Sequence, residues 1–226
     1  MLRVGERLPP EAELAGQFGI AVATLRKALA QLRARGVVET RRGRNGGTFV
    51  VKAPFPSSET LVATLRRISV VRLRDFADEH AAVTGTAARL AAERIAPGYR
   101  SRLAELAFRA REAVSVQERS LADNRFHIEV AVLSQSQRLL TAEQRLQAEI
   151  GPLLWCPETS RMSAQDSFNE HLALVMAIEQ RHPEEAQRLA EQHAMRNVRA
   201  IVEGKLQLPT EVTLVDAAAA PEGESA

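Results

Sequence analysis

Apolar positions along the first fifty residues follow two different spacings. Leu14 and Phe18 stand four apart, the repeat of one helix face. Pro10 suits the first turn of that helix, Glu11 and Glu13 lie near its positive end, and Gly19 is its stop. After the short apolar turn Ile20-Ala21-Val22, a stripe of Leu25, Leu29 and Leu32 predicts a second helix over about 22–35, stopped by Gly36. Two short helices joined by about three residues make a helix-turn-helix. From Val37 to Val51 the pattern changes. Val37-Val38 and Thr48-Phe49-Val50-Val51 are β-rich and flank a tip of arginines and glycines, which predicts a hairpin. A hairpin directly after a helix-turn-helix is a wing.

The rest of the chain reads differently. Pro54 and Pro56 prevent a continuous helix through 52–58. From Glu59 to about Leu206 helical spacing dominates, with helices expected near 59–69, 73–95, 98–117, 120–137, 140–160, 164–181 and 183–204. Pro97-Gly98, Gly151-Pro152, Pro157 and Pro183 supply the breaks. The expectation is a mainly α protein in four parts. A winged helix-turn-helix spans 1–52, a linker 53–58, an all-α antiparallel helical bundle 59–206, and a disordered tail rich in Ala, Glu, Pro and Gly 207–226.

Composition supports helices, since Ala, Leu, Arg and Glu dominate and aromatics are only 4%. No apolar run is long enough to cross a bilayer, and the start lacks the order of a signal peptide. The single cysteine, Cys156, excludes an internal disulfide and fits a cytoplasmic protein. A formal charge of +2 says little until it is divided. Residues 1–52 carry ten Lys and Arg against four Glu, a net +6, which leaves −4 for residues 53–226. A basic head on a mildly acidic body suits a head that meets phosphate.

The head carries a resemblance. Leu8-Pro9-Pro10-Glu11-Ala12-Glu13-Leu14-Ala15, Gly19-Ile20, Thr24-Leu25-Arg26-Lys27-Ala28-Leu29, Leu32, Gly36-Val37-Val38, Arg42-Gly43 and Gly47-Thr48-Phe49-Val50 resemble, in order, the GntR family of bacterial regulators. That resemblance implies operator DNA as a partner. Thr24, Arg26 and Lys27 would lie near the groove, and Arg42, Gly43 and Arg44 at the wing tip would approach the sugar-phosphate backbone. Ala12 and Ala21-Val22 stand where the family usually has Arg and Ser-Arg. Such heads also begin with a further helix, whereas this chain starts within the following turn, at Arg3-Val4-Gly5. The expectations are a start codon placed too late, a first helix missing, and Leu14, Leu25 or Leu29 exposed in consequence.

The body resembles the FadR-like subgroup with its FCD ligand-binding domain, through Ala88–Arg94, Asp123-Asn124-Arg125-Phe126-His127, Glu170-His171 and Ala186 to His193. Asp123 and His127 share a helix face, and His171 and His193 lie mid-helix among apolar residues. Histidines on neighbouring stripes can converge inside a bundle. One carboxylate with three imidazoles suits a divalent ion: zinc, manganese, nickel or iron. The resemblance implies that this ion can bind the carboxylate of a small effector acid. His80 falls where the family often carries an arginine gripping that acid, so it is expected at the effector or as a further ligand. The implied function is a metabolite-responsive repressor acting as a homodimer, with no membrane partner and no catalytic residues. Two alternatives compete. One is a degenerate dimeric scaffold that no longer binds DNA. The other is a metal-dependent helical-bundle enzyme, for which the only Glu-x-x-His, Glu179 to His182, sits at a helix end.

Overall fold

A computed structural model of the protein describes residues 5–43, 46–51, 55–97 and 102–209. The chain divides into two compact units, Met1–Ser57 and Ser58–Ala226. The tail expected over 207–226 lies outside the described residues from 210 onward, as do Arg44 and, of the expected linker, residues 53 and 54.

In the first unit, α1 (Glu11–Phe18) and α2 (Val22–Ala34) precede β1 (Val38–Arg41) and β2 (Gly47–Val50). The strands pair antiparallel, with Val38 opposite Val50 and Arg41 opposite Gly47. Pro10 is the residue before α1, one position earlier than expected, and Gly19 closes the helix in the left-handed conformation. At the wing tip Gly43 has φ +111, a backbone that side-chain-bearing residues rarely adopt.

Residues 5–8, which the sequence pattern presents only as a turn, line the free edge of β2. Gly5 N donates to Val50 O at 2.7 Å, Val50 N to Glu6 O at 3.0 Å, and Leu8 N to Thr48 O at 2.8 Å. This segment carries Leu8 into the core with Leu14, Ala15, Leu25, Leu29, Val37, Val38 and Val50. The expected exposure of Leu14, Leu25 or Leu29 is therefore wrong: they are 8%, 4% and 3% exposed. Leu8 and the strand valines already cover their faces. The exposed large apolar residues of α1 and its turn are Phe18 and Ile20.

The second unit contains α3 (Ser58–Arg67), α4 (Val70–Arg94), α5 (Leu103–Glu112), α6 (Val116–Leu133), α7 (Gln137–Leu154), α8 (Ala164–Glu179) and α9 (Pro183–Leu206). Three-residue turns join α6 to α7 and α8 to α9, so each pair is antiparallel. The core gathers Phe126, Leu103, Ile178 and the alanines Ala88, Ala91, Ala92, Ala186 and Ala190. Small residues on α4 and α9 let these two helices pack more extensively against each other than any other pair.

Helix starts depart from the periodicity by up to five residues, and serines explain the difference at α4, α6 and α7. Ser69, Ser115, Ser136 and Ser163 cap α4, α6, α7 and α8, each accepting from a backbone N–H three residues on. At α6 the cap is reciprocal, because Glu118 accepts from Ser115 N at 3.2 Å while Ser115 Oγ accepts from Glu118 N at 3.2 Å. Pro152 does not break α7, which runs to Leu154.

Gly204 of α9 abuts the turn after α7, where a Cβ would lie 2.3 Å from the Thr159 carbonyl oxygen. That carbonyl belongs to a turn held by Thr159 Oγ1 donating to Leu153 O at 2.6 Å. An alanine normally favours a helix over glycine, but here the contact with fixed backbone outweighs that gain. Gly204→Ala is expected to lower stability by roughly 1–3 kcal/mol in urea unfolding; an unchanged or raised midpoint would show that the turn yields.

Candidate metal centre and nucleic-acid interface

Five helices of the second unit each send buried polar side chains to one place. α4 contributes His80, α6 Asp123, Asn124 and His127, α7 Glu143 and Gln147, α8 His171, and α9 His193 and Asn197. Spacings of four residues set three of these pairs on one face each: Asp123 with His127, Glu143 with Gln147, and His193 with Asn197.

His127, His171 and His193 bring one ring nitrogen each within 4.8 Å of one another. His171 Nε2 and His193 Nε2 are 3.2 Å apart. Asp123 flanks them, its Oδ1 3.7 Å from His171 Nε2 and its Oδ2 3.9 Å from His127 Nε2. The four residues expected as ligands thus come together from three helices. Neither Asp123 oxygen nor His127 Nε2 has a partner in hydrogen-bond geometry, although all are buried; the Trp155 indole N–H, which approaches Asp123 and lowers its carboxyl, is itself left unpaired by the same geometry. Leaving such atoms unpaired is costly, and a cation among them would satisfy the two oxygens and the ring nitrogen.

The surroundings orient the rings. His193 Nδ1 donates to Glu170 Oε2 at 2.6 Å, which leaves Nε2 with its lone pair toward the cluster. Asn197 Nδ2 donates to that same Nε2 at 3.0 Å, a bond that an ion at this nitrogen would replace. Glu170 is held in turn by Arg196. Phe126 stacks on His171, with ring centroids 3.9 Å apart.

Burial sets the charges. It holds His127 and His171 well below the usual histidine range, helped by mutual repulsion among the imidazoles, and it lowers His193 as well. Burial pushes the Asp123 carboxyl up to about 6, against the attraction of His193. At neutral pH the site therefore presents three neutral imidazoles and one carboxylate, the protonation states that ligation requires.

His80 lies beside this group and outside it. Its ring centroid is 6.5 Å from that of His127, and its Nε2 is 3.6 Å from Glu143 Oε1 and 3.4 Å from Gln147 Nε2. Gln147 donates to Glu143 Oε1 at 2.8 Å. Glu143, Gln147 and Asn197 do not figure in the sequence expectations. Their signal was available, because Glu143 and Gln147 occupy the buried stripe of α7 with Leu146 and Ile150, where a packing helix ordinarily places apolar residues. Phe76, one turn before His80 and 5.6 Å from it between ring centroids, also lines a cavity of about 270 Å³ between α4, α7 and α9. Its polar wall carries Arg72 and Arg145 with Asp75, Glu79 and Glu149, and Arg145 is ion-paired with both glutamates.

In the first unit, Thr24, Arg26 and Lys27 are exposed on α2, and Arg42 and Gly43 are exposed at the wing. Arg26 is not free, since its Nε donates to Glu11 Oε2 at 2.6 Å.

Residues 75–196 match the FCD domain, and residues 1–50 match the bacterial regulatory proteins of the gntR family. The chain is 47% identical over 210 residues to the HTH-type transcriptional regulator RmpR of Mycobacterium gastri, covering 92% of this chain and 77% of that one. The chain belongs to the GntR family. It is also 29% identical to the Glc operon transcriptional activator of Escherichia coli strain K12, over 85% of this chain and 79% of that protein. The solved structure of E. coli McbR/YncC shares the fold, with a TM-score of 0.53 at 16% identity and 89% coverage of both chains. This GntR-family protein is thus a transcription regulator that joins a DNA-binding winged head to an FCD effector-binding domain. Asp123, His127, His171 and His193 all fall within the FCD match, as do His80, Glu143 and Gln147. Among the described residues no helix is long and apolar enough to cross a membrane.

Above about pH 6 the metal-free protein carries an ionised, buried Asp123. Its carboxyl value in the folded chain exceeds the ordinary 3.8, so the folded state holds the proton more tightly and loses stability as pH rises through that window. In chelator, Asp123→Asn is expected to be more stable than wild type by about 1–3 kcal/mol near neutral pH, with no advantage below about pH 4. Chemical unfolding at both pH values reads this; a variant less stable at neutral pH would mean that the bare carboxylate is already compensated.

Proposed function

We propose that this protein is a metabolite-responsive repressor whose helical domain holds one divalent metal through Asp123, His127, His171 and His193. The observation carrying this reading is the set of buried, partnerless atoms Asp123 Oδ1, Asp123 Oδ2 and His127 Nε2 beside His171 and His193. Three nitrogens and a carboxylate suit zinc, manganese, nickel or iron. What the ion supplies is a Lewis-acidic position for an oxygen of the effector.

The effector is a small organic acid. A carboxylate oxygen is a ligand such an ion accepts, and His80 with Glu143 and Gln147 offers further polar contacts beside the metal site; in the neighbouring cavity Arg72 and Arg145 are offset by Asp75, Glu79 and Glu149. Two chains pair through their helical domains in the cytoplasm and read a pseudo-palindromic operator. Thr24, Arg26 and Lys27 read the groove, while Arg42, Gly43 and Arg44 meet the sugar-phosphate backbone. An effector that binds one arrangement of the two heads more tightly shifts the dimer toward it and changes operator affinity.

Elemental analysis of the purified full-length protein after dialysis is expected to find about one divalent ion per chain. His171→Ala, with its helical circular dichroism retained, is expected to lose at least tenfold in affinity for that ion. Wild type that retains no ion, or a variant that retains it equally, would overturn the metal assignment. Arg42→Ala is expected to weaken binding to all DNA alike and to lower the salt dependence by about one phosphate contact.

A further inference from the structure

The ion pair between Glu11 and Arg26 lies on the face of the head that the proposed function, on which this inference rests, turns toward DNA. Arg26 stands in the first half of α2, the part of a recognition helix that approaches base edges. It is the only guanidinium in that half, where Val22–Ala28 carries one other cation, Lys27. Glu11 stands in the first turn of α1, where the helix end favours a carboxylate. The pair links the two helices of the motif through Arg26 Nε and Glu11 Oε2 at 2.6 Å.

Which nitrogen is engaged decides what the pair can do. Nε is the inner N–H of the guanidinium. Holding it leaves the two terminal amino groups with no other partner among the described residues, and the fork they form can meet O6 and N7 of guanine. Arg26 is 67% exposed, so without Glu11 its long side chain would sample many rotamers and lose that freedom on binding. An exposed ion pair contributes little to folding. Against any gain stands a plain cost, since a carboxylate on the DNA-facing surface repels phosphate.

We propose that Glu11 is a positioning residue for sequence readout: it aims the Arg26 fork at one guanine in the major groove, at the expense of sequence-independent affinity. The two effects have opposite signs, which separates this role from its rivals. A residue that merely supported the head would, when changed, weaken binding to every DNA. One that merely masked Arg26 would strengthen binding to every DNA.

The test uses the full-length protein with a randomised DNA library and the duplex that wild type selects from it. Binding of wild type, Glu11→Gln, Arg26→Ala and the double variant is measured on that duplex, on single-base variants of it and on unselected DNA. Glu11→Gln is expected to bind unselected DNA as tightly as wild type or up to about threefold tighter. It is expected to lose about tenfold in preference at one G·C pair. Arg26→Ala should lose preference at that same pair, and the double variant should lose no more than Arg26→Ala alone. Glu11→Asp, which keeps the charge but shortens the reach, should lose the preference without the gain on unselected DNA. Thermal unfolding of each variant checks the fold of the head. Equal losses on all DNAs, equal gains on all DNAs, a preference lost at a different base pair, or a wild type that selects no sequence would each overturn the proposal.

Discussion

Taking a carboxylate and three imidazoles out of water in one small volume is the constraint around which the helical domain is arranged. Each buried acceptor without a donor costs on the order of 1–3 kcal/mol, and Asp123 alone leaves two. The bundle offsets part of this cost by packing. Phe126 stacks on His171, and the alanines of α4 and α9 bring the backbones close enough to enclose the cluster. Another part is offset by the Arg196, Glu170 and His193 chain, which fixes one ring through its outer nitrogen. The inward-facing atoms remain, and their geometry suits a positive ion.

That arrangement also ties the helices of the domain together. The cluster draws on α6, α8 and α9, while His80 and Glu143 bring α4 and α7 to its side. Under the proposed function, a change in what occupies the centre would reach five helices at once, through side chains already in contact. In the winged head the demands differ. Its small core is closed by Leu8, delivered by an edge segment that pairs with β2, and its surface leaves Thr24, Arg26, Lys27, Arg42 and Gly43 exposed.

Much of this was legible along the chain. The two leucine stripes, the glycine stops and the β-rich pieces located α1, α2 and the wing, because local spacing and backbone freedom decide those elements. The Asp123 and His127 pair was legible for the same reason, since a spacing of four fixes a shared face. Helix starts were less so. The periodicity of α6 is blurred by its buried Ser120, Asp123, Asn124 and His127, and the serine caps, not the apolar repeat, set where helices begin. The edge segment at residues 5–8 carried no strand signal of its own, and with it the burial of Leu14, Leu25 and Leu29 went unread.

Local spacing was enough to set which helices form and which of their faces carry Asp123 and the histidines, because both follow from residues three or four positions apart. Tertiary structure alone decided that His171 and His193 meet Asp123 and His127, that His80 pairs with Glu143 rather than joining them, and that Arg26 reaches Glu11. Those contacts join residues between 15 and 70 positions apart, and only the packing of helix against helix, driven by apolar burial with no regard to sequence distance, brings such side chains within reach.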